Sequence, residues 1–343
     1  MLKIKLSIPG FSDNLNISQF VGHNDNIAFG CKFYVNDPSL KEADHWFVIE
    51  DLQRQNETVR VNRDCVFFLS AEVVHPIGYY DSPRLKLFLE QFSAIFTCHD
   101  IYRDNSFRVL PFVPWMINSN HGPSIFGKSD RDVEWLRKNN QIEKTKMISV
   151  ICSNQNLTAD HRLRLKFVKA IKDHFGDKLD WYGNGINPLK EKWDGIAPYK
   201  YHIVLENQSR NNIITEKLFD SFLGLAYPIY YGAPNVYQYF NTNSLTQIDI
   251  FDLRNSVKKI EILLEGNESN IRTAEIIESR NKVLFDYNLF KRIADIALTK
   301  DTVQGNGDMQ IICLQSVNGV MNRSLGEKVA GRASMLLRRI SNI

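Results

Sequence analysis

Short apolar runs alternate with helical or polar stretches along the first third of the chain. The runs predicted to be strands cover residues 3–8, 27–35, 45–49, 65–71 and 94–98. Between the last two, the stretch SPRLKLFLEQFS places leucine and phenylalanine at helical spacing. A strand, a helix and a second strand joined by short links form the βαβ unit of a parallel sheet.

A second series with the same alternation follows. Its predicted strands cover residues 147–154, 179–183, 201–206, 227–231 and 244–252. An amphipathic helix over 158–175, a helix from Thr215 and a mainly helical stretch from Arg254 onward separate and follow them. We therefore predict an α/β protein with two doubly wound domains. The predicted boundaries are an N-terminal domain over 1–125, a linker over 126–146, a C-terminal domain over 147–320 and a tail over 321–343.

Composition and charge narrow the classes of function. A chain of 343 residues is long enough for two domains. The formal net charge of +3 argues against a nucleic-acid binder, which usually carries a more basic domain. The five cysteines are scattered without a C-x-x-C pair, so we expect neither a zinc site nor a disulfide framework. The sequence offers no secretory signal and no apolar run of membrane-spanning length, and we expect a cytoplasmic protein.

Polar side chains gather where two strands of the second series end. Glu206 and Asn207 follow one strand, and Gly232 follows another. In doubly wound sheets, ligands bind beyond the carboxyl ends of the strands. Glu216 and Lys217 fall in the first turn of the helix near Thr215. A lysine there opposes the helix dipole unless an anion such as a diphosphate binds beside it. The alternative is a simple cap by Thr215 with a solvated Lys217.

The stretch from Tyr199 to Asp252 resembles the signature block of the alpha-1,3/1,4-fucosyltransferases, glycosyltransferase family 10. The matching motifs are HIVLEN, ITEK and YPIYYGAPN, in the family's order and spacing. Two flanking motifs are also similar: KMISVICSN, followed by a helix with Arg164 three residues before Phe167, and the Tyr-Gly-Asn-Gly turn at 182–185. The resemblance covers about 146–253 and is weak in the first half.

This resemblance implies a GT-B enzyme, with two Rossmann-like domains facing a cleft and the donor nucleotide in the C-terminal domain. The implied reaction is inverting transfer of L-fucose from GDP-fucose to an oligosaccharide hydroxyl, alpha-1,3 or 1,4 linked, without metal or cofactor. By family carry-over, Arg164 and Lys217 neutralise the diphosphate and Glu216 holds donor hydroxyls. The other donor-side residues implied are Ser153, Asn154, Tyr182, Gly183, Glu206, Asn207, Thr215, Gly232 and Asn235.

Glu72 is the candidate catalytic base. It follows the apolar run CVFFLSA, and the resembling family carries its base at the end of such a strand. An inverting reaction needs a carboxylate on the acceptor side to accept the hydroxyl proton. The alternatives are that Glu72 is a solvated loop carboxylate or that His75 is the base.

One departure from the family pattern keeps another donor open. Asn212 and Ile213 stand where the family often has Asp-Tyr, so another GDP-linked deoxysugar is an alternative donor. A second alternative is an inactive relative that binds nucleotide or glycan. Asp130-Arg-Asp132 resembles the D-x-D metal motif of another glycosyltransferase class, but it lies in the predicted linker, and we expect no metal there.

The tail over 321–343 mixes basic and apolar residues. Lys328, Arg332, Arg338 and Arg339 alternate with leucine, methionine and isoleucine. Such a helix suits peripheral contact with an anionic membrane, although packing on the protein or solvation explains the pattern equally well. Membrane contact would fit a lipid-linked glycan acceptor at the cytoplasmic face of the inner membrane. A bacterial enzyme acting on lipopolysaccharide or capsule precursors is the corresponding hypothesis.

Overall fold

The computed structural model describes residues 1–73, 79–101, 103–119, 129–156, 158–303 and 308–320. It divides into two compact units. Unit 1 comprises Met1–Leu15, Gly30–Arg108 and Ala297–Ile343, and unit 2 comprises Asn16–Phe29 and Val109–Ile296. His75 and the tail over 321–343 lie outside the described residues.

The described residues contain the strands β1 to β14. They are β1 (Leu2–Ser7), β2 (Ile27–Ala28), β3 (Cys31–Val35), β4 (His45–Ile49), β5 (Asn56–Asn62), β6 (Val66–Leu69), β7 (Ala94–Thr97), β8 (Ser106–Arg108), β9 (Lys146–Ile151), β10 (Leu179–Tyr182), β11 (Tyr199–Leu205), β12 (Tyr227–Tyr231), β13 (Thr246–Gln247) and β14 (Met309–Gln315).

The helices are as follows. They are α1 (Ser18–Val21), α2 (Pro83–Leu89), α3 (Val133–Lys138), α4 (Ala159–Phe175), α5 (Lys192–Ile196), α6 (Glu216–Leu223), α7 (Leu253–Gly266), α8 (Glu268–Ile271), α9 (Thr273–Asn281) and α10 (Leu289–Val303). A π-helical turn over Lys282–Asp286 follows α9.

The main sheet of unit 1 is parallel. The six strands that unit 1 contributes to it lie in the order β3-β1-β4-β6-β7-β8, and each pair of neighbours is parallel. Every residue of β4 and β6 is buried, as expected for parallel strands covered on both faces. In the register, Ile49 of β4 lies opposite Leu69 of β6. The segments that follow these two strands therefore leave the sheet side by side.

A second, antiparallel pair of strands explains why the unit boundaries differ from the predicted domains. β14 pairs with β5 from Met309 opposite Asn62 to Gln315 opposite Asn56. This pairing carries the residues near 309–315 into unit 1, although the sequence placed 147–320 in one C-terminal domain. The first boundary also falls after Arg108 rather than at 125. β5 was not predicted because it lacks a continuous apolar run and one of its buried positions is the charged residue Glu57.

Unit 2 contains a five-stranded parallel sheet in the order β10-β9-β11-β12-β13. The chain passes from β9 to β10 on one side and then returns to place β11 on the other side of β9. The strand order therefore reverses between β9 and β11, which is where doubly wound sheets bind ligands. The strand predicted over 244–252 is limited to Thr246–Gln247.

Helix α6 connects β11 to β12 and packs into the core of unit 2. Leu218, Phe219, Phe222 and Leu223 are 1% exposed or less. The ring of Phe222 lies 4.8 Å from that of Phe240, centroid to centroid. The apolar face of α6 fixes the helix on the sheet, and its first turn lies at the carboxyl ends of the strands.

The substitution Phe222→Ala tests this packing. Loss of a fully buried aromatic ring leaves a cavity, and we expect the free energy of unfolding to fall by roughly 3–5 kcal/mol. The measurement is urea unfolding followed by circular dichroism. The matched control is Ile262→Ala, because Ile262 on α7 is 57% exposed. Equal effects of the two substitutions would contradict the packing described.

Candidate functional site

A polar cavity of about 400 Å³ lies in unit 2 where β9, β10 and β11 end. The residues that line it come from the loops after these strands and from α4, α5 and α6. They are Ile151, Cys152, Ser153, Gln155, His161, Arg164, Gly183, Asn184, Leu189, Lys192, Asn207, Glu216 and Lys217. The cavity thus lies at the reversal of strand order, and its lining is rich in charged side chains.

Glu206 connects the end of β11 to the start of α6. Its side chain is fully buried, with Oε1 accepting from the Thr215 N–H at 2.8 Å and Oε2 accepting from Thr215 Oγ1 at 2.7 Å. Burial raises the pKa of Glu206, and Lys217 opposes that rise. Gly232 allows this close packing, because a Cβ there would lie 2.6 Å from Glu206 Cγ. The buried carboxylate therefore fixes the residue that caps α6.

Lys217 folds back over the first turn of α6. Its Nζ lies 3.1 Å from Thr215 Oγ1, 3.1 Å from Glu216 Oε1 and 3.6 Å from Glu206 Oε2. Burial lowers the pKa of Lys217, but the carboxylates of Glu216 and Glu206 outweigh burial and raise it above its ordinary value. The ammonium group is therefore a fixed positive charge, and 28% of the side chain is exposed.

Glu216 lines the cavity as an ionised carboxylate. Burial favours its neutral form, but Lys217 and Lys192 outweigh burial and lower its pKa to about 2. Lys192 is itself held by Asp220, with Nζ 2.9 Å from Oδ2 in a buried ion pair. Burial raises the pKa of Asp220 to about 6 despite this partner. Alternating charges thus connect α5 and α6 beneath the cavity.

Arg164 supplies a second cation from α4. Its Nη1 donates to the Leu205 carbonyl oxygen at 3.3 Å. Its Nε is buried, and no residue in the described ranges accepts a hydrogen bond from it. Arg164 is part of the cavity lining, where its guanidinium charge favours an anion. Together, Arg164 and Lys217 make one wall of the cavity suited to an anion.

The loops after β9 and β10 are tied to each other. The Asn154 N–H donates to the Asn184 carbonyl oxygen at 3.1 Å. Gly183 has φ of +144°, and a Cβ there would lie 2.4 Å from the Cys152 carbonyl oxygen. The Tyr182 and Tyr199 hydroxyl oxygens lie 2.7 Å apart below this turn. The Tyr-Gly-Asn-Gly turn therefore needs its first glycine to approach the neighbouring loop.

The predicted donor-side residues divide into two groups. Those that line the cavity are Ser153, Arg164, Gly183, Asn207, Glu216 and Lys217. Those outside its lining, which hold neighbouring backbone or side chains, are Asn154, Tyr182, Glu206, Thr215, Gly232 and Asn235. Asn235, for example, accepts from the Asn212 N–H at 2.9 Å. The lining residues Lys192, His161 and Gln155 were not predicted, and Asn184 was given no role although it lies in the Tyr-Gly-Asn-Gly turn.

Glu72 lies in unit 1, after β6, and its side chain is exposed. Its Oε1 accepts from the Val73 N–H at 2.9 Å. Its own N–H donates to Glu50 Oε1 at 2.8 Å. Glu50, which directly follows β4, was not among the predicted site residues.

Asp132 accepts a hydrogen bond from the Trp135 N–H at 2.8 Å and caps α3. Within the described ranges, no group of three or more His, Cys, Asp or Glu side chains is arranged to hold a metal ion. All five cysteines are free thiols. None of the helices in the part of the chain described here is long and apolar enough to span a bilayer.

The pKa of Glu216 gives a prediction for stability against pH. Because its folded pKa is about 2, below the ordinary 4.5, ionised Glu216 stabilises the fold above pH 4.5, and this is lost as pH falls toward 2. Relative to Glu216→Gln, we expect the wild-type free energy of unfolding to fall by roughly 2 kcal/mol from about pH 5 to pH 3. Urea unfolding at both pH values measures this. Parallel pH dependence in the two proteins would contradict the assigned charge.

Three comparisons place the chain among known proteins. Residues 141–272 match the model of the glycosyltransferase family 10 (fucosyltransferase) C-terminal domain. An alpha-(1,3)-fucosyltransferase of Helicobacter pylori is 29% identical over 75 residues, which is 22% of this chain and only 15% of the relative's length. A crystal structure of an alpha1,3-fucosyltransferase with GDP superposes with a TM-score of 0.51 at 15% identity, over 89% of this chain and 91% of that one.

The structural likeness establishes the fold. Parallel α/β sheets in both units, together with this superposition, confirm the predicted GT-B class. The matched segment contains β9 to β13 and every residue that lines the cavity. The cavity therefore lies within residues 141–272, the segment that matches the glycosyltransferase family 10 (fucosyltransferase) C-terminal model.

Proposed function

We propose that the protein is a fucosyltransferase that moves L-fucose from GDP-fucose to a hydroxyl of an oligosaccharide. The observation that carries the proposal is the convergence of Arg164 and Lys217 on one cavity at the first turn of α6. Helix N-termini and fixed cations both favour phosphate groups. The match to the fucosyltransferase family model and the similarity to the H. pylori alpha-(1,3)-fucosyltransferase support fucose and an alpha-1,3 linkage.

The charges suit the departure of a diphosphate. As the bond from the sugar carbon to the phosphate oxygen breaks, negative charge grows on the leaving GDP. Lys217 is held charged by two carboxylates, and Arg164 adds a second cation to the cavity lining. These fixed side-chain cations can stabilise that charge, so we propose a reaction without a metal. Glu216, ionised beside them, can accept hydrogen bonds from donor hydroxyl groups.

The proposed reaction is a single displacement that inverts the sugar carbon. The acceptor oxygen attacks that carbon while the bond to the diphosphate breaks, and the hydroxyl proton passes to a carboxylate. We propose Glu72 as this base. Its exposed side chain after β6 is accessible, and its backbone is held by the contact with Glu50.

Another GDP-linked deoxysugar is a second candidate donor. Asn212 and Ile213 replace the Asp-Tyr pair common in the family, and Ile213 is only 1% exposed. The Asn212 side chain instead holds the loop, with Oδ1 accepting from Asn235 Nδ2 at 2.8 Å and from Tyr239 OH at 2.5 Å. This loop therefore presents no phenol to the donor at position 213.

The role of the two cations, Arg164 and Lys217, can be tested by binding measurements alone. We expect Arg164→Met and Lys217→Met each to weaken GDP binding by roughly 10- to 100-fold, because each removes a charge-assisted contact to phosphate. Isothermal titration calorimetry gives the dissociation constants. Arg162→Met is the matched control, since Arg162 is exposed on the same helix and absent from the cavity lining. A loss in the control equal to that in Arg164→Met would contradict the assignment.

Turnover tests the proposed activity and base together. We expect acceptor-dependent release of GDP from GDP-fucose, and a fall in kcat of roughly 100-fold or more in Glu72→Gln, because the amide cannot accept the proton. A coupled assay for GDP with a panel of oligosaccharide acceptors measures both. Full activity in Glu72→Gln would move the base elsewhere. Release only from other GDP-deoxysugars would favour the second donor, and no release from any of them would indicate a binding protein.

A further inference from the structure

The backbone turn that carries Glu72 is held by a second carboxylate in unit 1. Glu50 directly follows β4, and its own N–H continues the ladder by donating to the Leu69 carbonyl oxygen at 3.0 Å. Its Oε1 accepts from the N–H of Ala71 at 2.5 Å and from the N–H of Glu72 at 2.8 Å. One carboxylate oxygen thus binds two successive backbone amides beyond the neighbouring strand.

The same turn is fixed from the opposite side. His99, which follows β7, places Nε2 2.7 Å from the Glu72 carbonyl oxygen, where the ring nitrogen donates. Glu50 therefore holds the N–H of Glu72 while His99 holds its carbonyl group. Glu50 has φ of +64°, a conformation uncommon outside glycine and enriched at functional sites. The backbone is constrained on both sides of the proposed base.

Glu50 also borders a cavity of unit 1. This cavity has a volume of about 640 Å³ and is lined by Asp51, Tyr79, Ser82, Pro83, Arg84, Leu85, Val317 and Asn318 as well as Glu50. Arg84 Nη1 donates to Asn318 Oδ1 at 3.0 Å across it. Glu50 therefore both anchors the backbone and contributes to the cavity lining.

The charge state of Glu50 changes near neutral pH. Burial raises its pKa to about 7, the two backbone hydrogen bonds oppose this rise, and the carboxylates of Glu72 and Asp51 add to it. The titratable and charged groups around Glu50 and its cavity are Asp51, Glu72, Tyr79, Tyr80, Arg84, Cys98 and His99. Hydrogen bonds to an ionised carboxylate are stronger than those to a neutral carboxyl group.

We propose that Glu50 is the positioning residue of the reaction: its ionised carboxylate fixes the turn of Ala71 and Glu72 so that the Glu72 side chain is held for proton transfer. The inference rests on the proposed function, in which Glu72 is the base. Protonation of Glu50 weakens both amide contacts and loosens the turn. Turnover therefore rises with pH through the ionisation of Glu50, while GDP binding in unit 2 does not depend on it.

The kinetic test compares wild type with Glu50→Gln, which keeps the shape but cannot ionise. We expect kcat above pH 8 to fall roughly tenfold and the rise of kcat near pH 7 to disappear, with KM for GDP-fucose unchanged. Glu50→Asp is the second variant: it keeps the charge but is one methylene shorter, and kcat should also fall. Asp64→Asn is the control, because Asp64 is an exposed carboxylate of the same unit, and its pH profile should match wild type.

A second readout needs no turnover. In ¹⁵N-labelled protein, the amide proton shifts of Ala71 and Glu72 should titrate near pH 7 in wild type and in Asp64→Asn, and stay flat in Glu50→Gln. A titration that persists in Glu50→Gln would assign the effect to His99 and overturn the inference. Unchanged kcat and pH profile in Glu50→Gln would overturn it as well.

Two outcomes separate this inference from the proposed function. If Glu72→Gln stays active while Glu50→Gln is inactive, Glu50 is the base itself and the positioning role is wrong. If wild type transfers no sugar from any GDP-linked donor, the proposed function fails and the positioning role fails with it. In that case, flat amide shifts in Glu50→Gln would still establish the contact.

Discussion

The buried carboxylate of Glu206 is the constraint on which the candidate site depends. Glu206 directly follows β11, and its carboxylate accepts hydrogen bonds from both the backbone N–H and the hydroxyl of Thr215, the residue that caps α6. Burying a carboxylate in this way is costly unless hydrogen bonds and an opposite charge compensate it. Thr215 and Lys217 supply those, and in doing so they fix the position of the ammonium group. The position of Lys217 in the cavity lining is thus a consequence of how the fold satisfies Glu206.

In both units, a carboxylate that follows a strand accepts hydrogen bonds from backbone N–H groups of a neighbouring segment. In unit 2, Glu206 accepts from the N–H of Thr215, and in unit 1, Glu50 accepts from the N–H groups of Ala71 and Glu72. In each case a carboxylate that ends one strand fixes the segment that presents functional side chains. Parallel sheets leave such backbone amides at their carboxyl ends, where ladder partners run out. Preorganisation of this kind places charges before a ligand arrives.

Sequence predicted the parts of the structure that have a local signal. The continuous apolar runs of β4 and β12 gave strands with the expected bounds, and Thr-Glu-Lys marked the start of α6. The pairing of β14 with β5 had no such signal, because it joins segments about 250 residues apart. Lys192 and Glu50 were missed for a related reason. Their roles depend on which neighbours the sheets bring beside them, and no spacing in the chain reports that.

The central claim is that the cavity of unit 2 recognises a diphosphate through fixed cations. The most direct measurement is isothermal titration calorimetry of GDP, GMP and guanosine against the wild-type protein at one salt concentration. If Arg164 and Lys217 hold the second phosphate, GDP should bind at least about 100-fold more tightly than GMP, because GMP lacks the phosphate that makes these two charge-assisted contacts. Equal affinity for GDP and GMP would contradict the claim, because the second phosphate would then gain nothing from the two cations.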